Sequence, residues 1–304
     1  AISCHSSRKP PPGDDMRLLE KTAAISGFLR AAPGLALLRA NIRRQRGGDP
    51  MDAARSAWTL GLRLRPVLTG LQCYENRFGH GWKDLLLLLL TEELAKCGLG
   101  RPPDMTVKGL ELLRARAAAR RPTVVVTMHA PTDAVLNRLF EENGCPSTLL
   151  AARGAKIRRK ARLLGLRGEL DVIERSSDSF LSLRARMAEG RVVCCCVDFT
   201  EPRKDSLLHD VRVSPAMFQM AKLLRSSILY AETRATADGA ILVSLAEPSV
   251  DTAAVDAGAC CADFVSWLTE QQGDGRDIGI ADWPGDFVGS AGFFAQAPNI
   301  AHSD

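Results

Sequence analysis

His129 ends the apolar run Thr123-Val124-Val125-Val126-Thr127-Met128 and is followed by Ala130-Pro131. Histidine is the side chain that exchanges a proton near neutral pH, so a neutral imidazole at the mouth of a buried strand is placed to act as a general base. Pro131 is a favoured first-turn residue and predicts a helix over residues 131–142. Where strands hand over to helices, sites collect at the strands' carboxyl ends, and the positive end of the helix dipole favours an uncharged ring. Asp133, four residues on, falls on the same helical face and would hold the ring's second nitrogen, fixing the tautomer. Such a pair takes a proton from a hydroxyl as it attacks a carbonyl, an effect of about 10²–10⁴-fold in rate. The same two residues also fit a polar cap and a first-turn acid, and spacing alone does not choose between the readings.

Other chemistry-bearing groups lie downstream. Asp198 directly follows the apolar stretch Val192–Val197, and a carboxylate at a buried strand end needs a partner. Arg153, Lys156, Arg158, Arg159, Lys160, Arg162 and Arg167 form a basic set, which suits phosphate contacts or a solvated helix face. Cys194, Cys195 and Cys196 read as small buried hydrophobes, and Ser214 before Pro215 as a helix cap. There is no GxSxG elbow and no phosphate-loop signature, which counts against a serine hydrolase and a nucleotide-loop enzyme. Nine cysteines without a CxxC pair or a spaced ladder give no zinc or disulfide framework, and a reducing compartment is the simpler reading.

These groups need a scaffold. With 304 residues, 46% of them hydrophobic, the chain can bury a sizeable core. Its net charge of +5 is too small for a dedicated nucleic-acid binder and suits an anionic small ligand or a lipid surface. Residues 1–15 read as a flexible lead-in. Over 16–100 the apolar spacing is helical, with Trp58–Leu71 and Asp84–Lys96 as two of the helices, and Arg30, Arg39, Arg43, Arg44 and Arg46 ride along the segment. They fit either a membrane-facing basic surface or a solvated one. From 101 onward helices alternate with short β-branched runs. Helices are predicted over 109–121, 179–189 and 215–225, and strands over 123–128, 147–152, 192–197, 228–233 and 241–246. The pattern predicts an α/β fold: a mixed, mostly parallel central sheet flanked by helices, with the N-terminal helical segment packed on it. No stretch approaches the roughly 18 apolar residues of a membrane-spanning helix. The chain opens on Ala1, which leaves a leader or anchor upstream open.

Residues 105–133 (MTVKGLELLRARAAARRPTVVVTMHAPTD), a basic helix, residues 181–203 (LSLRARMAEGRVVCCCVDFTEPR) and residues 211–248 follow in an order that resembles the lysophospholipid acyltransferase superfamily. The resemblance is closest to the branch of lipid A late acyltransferases and phosphatidylinositol-mannoside acyltransferases, and covers about residues 105–248. It implies an acyl-transfer dyad of a histidine and an acidic residue, carried here by His129 and Asp133. The family usually places four residues between them; here there are three, and the next position is Ala134. It also implies a functional arginine about thirty residues before an aspartate, matching Arg167 and Asp198. The tail from Gln271 to Asp304 departs from the family's usual ending, and Phe293-Phe294 is available for an apolar contact.

The resemblance implies an acyltransferase that uses an acyl-CoA or acyl carrier protein thioester and a hydroxyl or amine acceptor on a glycolipid or specialised metabolite. His129 would be the base and Asp133 its orienting acid. Arg167 and Asp198 would bind or support substrate, and Arg153, Arg158 and Arg159 would meet phosphates or a head group. No metal and no permanently bound cofactor is expected. The setting would be cytoplasmic, with peripheral contact at the inner face of the plasma membrane as one option. The alternative is a non-catalytic lipid or acyl-thioester binding protein on the same scaffold.

Overall fold

The computed structural model describes residues 31–65, 68, 81–151, 154–174, 176, 178–202, 209–272 and 278–280. The lead-in, Arg30, Arg153 and Phe293-Phe294 lie outside them.

Strand β2 (Thr123–Thr127) is buried at all five residues, as its unbroken β-branched sequence demands of a strand covered on both faces. It lies between β5 (Val192–Cys196) and β8 (Ser227–Ala235), and the sheet extends through β3 (Ser147–Ala151) to β4 (Asp171–Glu174) on one side. On the other side it runs through β9 (Ile241–Ala246) to β1 (Met105–Lys108), giving the order β1-β9-β8-β2-β5-β3-β4. All neighbours are parallel except β8 and β9, which pair antiparallel. The expected α/β architecture is therefore the one observed.

Alternation along the strands divides the core in two. Val125, Leu149, Cys194, Leu229 and Val243 point to one cluster, and Val124, Val126, Leu150, Val193, Cys195 and Tyr230 to the other. The first is covered by a helix over 31–44, α1, and by α2 (Pro50–Arg63), α3 (Trp82–Lys96), α5 (Val135–Glu142) and α6 (Gly154–Leu163). Leu113 of α4 (Leu110–Ala118) joins that cluster. The second cluster is covered by α7 (Ser179–Ala188), α8 (Ala216–Leu223) and α9 (Ala257–Gln272), where Phe264 stacks with Trp267 and meets Tyr230 edge-on.

The N-terminal helices thus belong to the same core as one sheet face. Trp58 of α2 donates its indole N–H to the Ala237 carbonyl in the β8–β9 turn at 2.8 Å, and Asp84 of α3 accepts from the Ala235 N–H at 2.5 Å. Gly109 opens α4 at φ +76, and a Cβ there would stand 2.3 Å from the Leu245 carbonyl oxygen, so only glycine fits.

A second sheet of three strands, β6 (Asp198–Pro202), β7 (His209–Val213) and β10 (Ile278–Ile280), grows from the end of β5. Its order is β10-β7-β6, with β6 antiparallel to β7. One residue, Val197, separates β5 from β6, and its N–H donates to the Thr127 carbonyl at 2.9 Å, prolonging the β2–β5 ladder.

Candidate active site

The β2–β5 register pairs Thr123 with Val192 and Thr127 with Cys196. Continued two residues further, it sets His129 opposite Asp198, at the carboxyl edge of the sheet. One Asp198 carboxylate oxygen meets two groups of His129: Oδ1 accepts the His129 backbone N–H at 2.6 Å and lies 3.0 Å from the ring Nδ1. An ionised carboxylate can only accept, so Nδ1 carries the proton and Nε2 keeps its lone pair. Nε2 forms no hydrogen bond with a described residue, and 53% of the histidine side chain is exposed, against 4% of the aspartate's. The arrangement leaves one ring nitrogen open and the other tied to a buried carboxylate, which is what a general base would need.

Burial opposes the charged imidazolium, but the hydrogen bond and charge of Asp198, with a smaller contribution from Asp133, outweigh it. Lys160 pulls the other way, and the net effect raises the His129 pKa above its ordinary 6.5. A helix dipole holding the ring neutral is therefore not what sets its charge. The helix after Pro131 starts only at Val135, because residues 131–134 form turns.

That turn also corrects the role expected of Asp133. Without helical geometry between 129 and 133, the two side chains do not share a face. Asp133, buried, forms an ion pair with Lys160 of α6, and the same ammonium donates to the Ala130 carbonyl at 2.5 Å. Cys196 Sγ approaches the second Asp133 oxygen at 3.6 Å. Asp133 thus ties the segment after His129 to α6 and to the end of β5, while Asp198 takes the ring.

Arg167 is also placed elsewhere. Its backbone N–H donates to Glu141 at the far end of α5, at 3.0 Å, and its side chain is exposed. It precedes β4, parallel to β2 through β3 and β5, so it lies at the amino edge of the sheet, opposite His129. It contacts neither Asp198 nor His129. Arg158 and Arg159 are exposed on α6, and Arg159 pairs with Glu92 of α3.

Two contributors were not anticipated from the sequence. Lys160 was one cation among many until α6 packed beside the turn. Thr132 hydrogen-bonds Thr233 of β8 at 3.0 Å and reaches the buried Asp84 carboxylate at 3.4 Å, anchoring the same turn from the other side.

Cys194 and Cys196 have thiols pushed well above the ordinary value by burial, with Asp133 and neighbouring thiols adding to the effect. They remain protonated and are poor nucleophiles. Ser214, also buried, accepts the Ala216 N–H at 3.3 Å as a cap to α8. Among the described residues no group of three His, Cys, Asp or Glu side chains is arranged to hold a metal ion, and no helix is long and apolar enough to cross a membrane.

Compared with protein-family models and with curated proteins, the chain matches none.

Proposed function

We propose that the chain is an acyltransferase that moves an acyl group from a thioester, acyl-CoA or acyl carrier protein, to a hydroxyl or amine of a glycolipid or specialised metabolite. The observation that carries this reading is the His129–Asp198 pair, with Nδ1 tied to a buried carboxylate and Nε2 open. The order of motifs over residues 105–248, which resembles the lysophospholipid acyltransferase superfamily, supports the same reaction class.

In the proposed reaction the acceptor approaches Nε2, which takes its proton as the acceptor oxygen or nitrogen bonds to the thioester carbonyl carbon. The tetrahedral intermediate then collapses with cleavage of the C–S bond. The departing thiolate leaves as a thiol, taking the proton back from the imidazolium, and the histidine is restored. Asp198 keeps the ring in the productive tautomer and stabilises the transient cation, the part a buried carboxylate plays in other histidine-based acyl transfers. Neither a metal nor a covalent enzyme intermediate enters the scheme.

The test is thiol release and product mass with acyl-CoA or acyl carrier protein thioesters and a panel of hydroxyl and amine acceptors. Wild type is expected to form acylated acceptor, and His129→Ala to lose it. Undiminished transfer by His129→Ala would overturn the reading.

A further inference from the structure

A second feature lies at the amino edge of the main sheet, the edge away from His129. There α4 and α8 end and lead directly into two neighbouring parallel strands, β2 and β8. Both helices close in the same way. The Arg121 N–H donates to the Arg116 carbonyl at 3.2 Å and the Ser226 N–H to the Ala221 carbonyl at 2.9 Å, a closure in which the residue before each donor turns left-handed. Those residues are Arg120 and Arg225, both at φ +50, and among the described residues they are the two non-glycine residues with positive φ. Glycine is the usual occupant of such a position, because a Cβ is strained there. A side chain kept at a strained position points to a use for that side chain.

Strand register brings the two helix ends together. Thr123 pairs with Ser227, and the Ser227 N–H donates to the Pro122 carbonyl at 2.9 Å, so Arg121 and Arg225 flank the starts of adjacent strands. Beside them opens a cavity of about 710 Å³ lined by Arg121, Lys222 and Arg225, with Thr252 from the loop after β9. Lys222, on α8, donates one N–H to the Val255 carbonyl at 2.8 Å, which leaves two for a ligand. Among the described residues no acidic side chain lines the cavity. The loop's own carboxylates, Asp251 and Asp256, accept the Ala253 and Ala259 N–H groups at 3.0 and 2.8 Å. Three cations thus line one space whose walls supply no negative charge, a setting in which guanidinium groups favour phosphate oxygens. The cavity is larger than a bare phosphate needs, and Pro122 and Ala253 give it a less polar side.

We propose that this cavity binds a small phosphorylated molecule, with Arg121, Lys222 and Arg225 as the contacts to its phosphate groups. The organic part, a nucleoside or a sugar, lies against Pro122 and Ala253. The length of β2, five residues or roughly 16 Å, separates the cavity from His129. The occupant is therefore not the group that reacts at the histidine, and the proposal does not rest on the acyl-transfer reading.

The experiment is calorimetry on the full chain with inorganic pyrophosphate, adenosine 5′-diphosphate and glucose 6-phosphate as probes. Saturable binding of at least one probe is expected, weakened by about tenfold or more in Arg225→Gly and in Arg121→Ala. Arg225→Gly removes the guanidinium and relieves the positive φ, so its melting temperature is expected to equal or exceed that of wild type while its binding falls. An arginine with a purely structural role would not give that combination. Arg43→Ala/Arg44→Ala, which removes charge from the exposed surface of α1, is expected to bind like wild type. Preference for the diphosphate over the sugar phosphate assigns the organic part to a nucleoside, and the reverse assigns it to a sugar. No saturable binding of any probe, wild-type affinity in either site variant, or an equal loss in the α1 variant overturns the proposal. His129→Ala is expected to retain the binding, which separates this outcome from failure of the acyl-transfer reading.

Discussion

His129 and Asp198 are 69 residues apart in the chain, yet one carboxylate oxygen meets both the backbone N–H and the ring of the histidine. The contact is built by strand register: β2 and β5 run parallel, each ends its apolar run at the same level, and the next polar residue on each faces the other. Asp198→Asn keeps the shape but lets the amide favour the other tautomer. Acyl transfer is expected to fall by about 10²–10⁴-fold in kcat. Asp133→Asn, which leaves the ring contact in place, should cost far less. Steady-state kinetics on the two variants decide which carboxylate orients the base, and equal losses would count against Asp198.

The pH dependence follows from the same pair. A base must be neutral to act, and Asp198 raises the pKa of His129 against the opposing effect of burial. Activity is therefore expected to climb with pH through a midpoint above 6.5, and Asp198→Asn should move that midpoint down. Stability runs the opposite way. Because the folded-state pKa is raised, the pair's contribution is fully present below the unfolded histidine value of about 6.5 and is lost as pH rises through the folded value. The melting temperature of wild type should exceed that of His129→Gln by more in mild acid than in mild base. A gap that widens with rising pH would contradict the assignment.

Much of this was legible in the sequence, and the misses share a cause. Apolar runs marked β2, β5, β8 and β9 closely, since a strand covered on both faces is mostly apolar. The edge strands β1 and β4 are short and partly exposed, so their residues carry no such signal. His129 and Asp198 each stood out as the polar residue closing an apolar run. Their partnership required knowing that β5, and not β3, lies beside β2, which is a property of topology. Pro131 predicts a helix start that would put Asp133 beside the ring, whereas a turn occupies 131–134 and aims the carboxylate at Lys160 of α6.

Lys160 and Asp133 form an ion pair with little access to water, the side chains being 16% and 7% exposed. Removing one partner leaves the other charge stranded. Lys160→Met is expected to cost about 3 kcal/mol in urea unfolding, because Asp133 and the Ala130 carbonyl both lose their donor. The double variant Lys160→Met/Asp133→Leu should recover part of that loss, since replacing a buried pair with apolar groups is often close to neutral. A double-mutant cycle measures the coupling, and strictly additive losses would show that the pair does not act as a unit.

Arg167 provides the sharpest contrast between chain order and spatial order. The resemblance pairs it with Asp198, but its place before β4 puts it at the amino edge of a parallel sheet whose carboxyl edge holds His129. The α5 helix alone, eight residues from Val135 to Glu142 with Glu141 beside Arg167 at its far end, is about 12 Å long at 1.5 Å per residue. A guanidinium on the far side of that distance cannot steady Asp198 or meet a thioester at Nε2. Arg167→Ala is therefore expected to leave kcat/KM within about twofold of wild type, and, as an exposed surface change, to alter stability by no more than about 0.5 kcal/mol. Kinetics on Arg167→Ala beside Asp198→Asn make the comparison, and a loss as large as that of Asp198→Asn would require the two residues to meet.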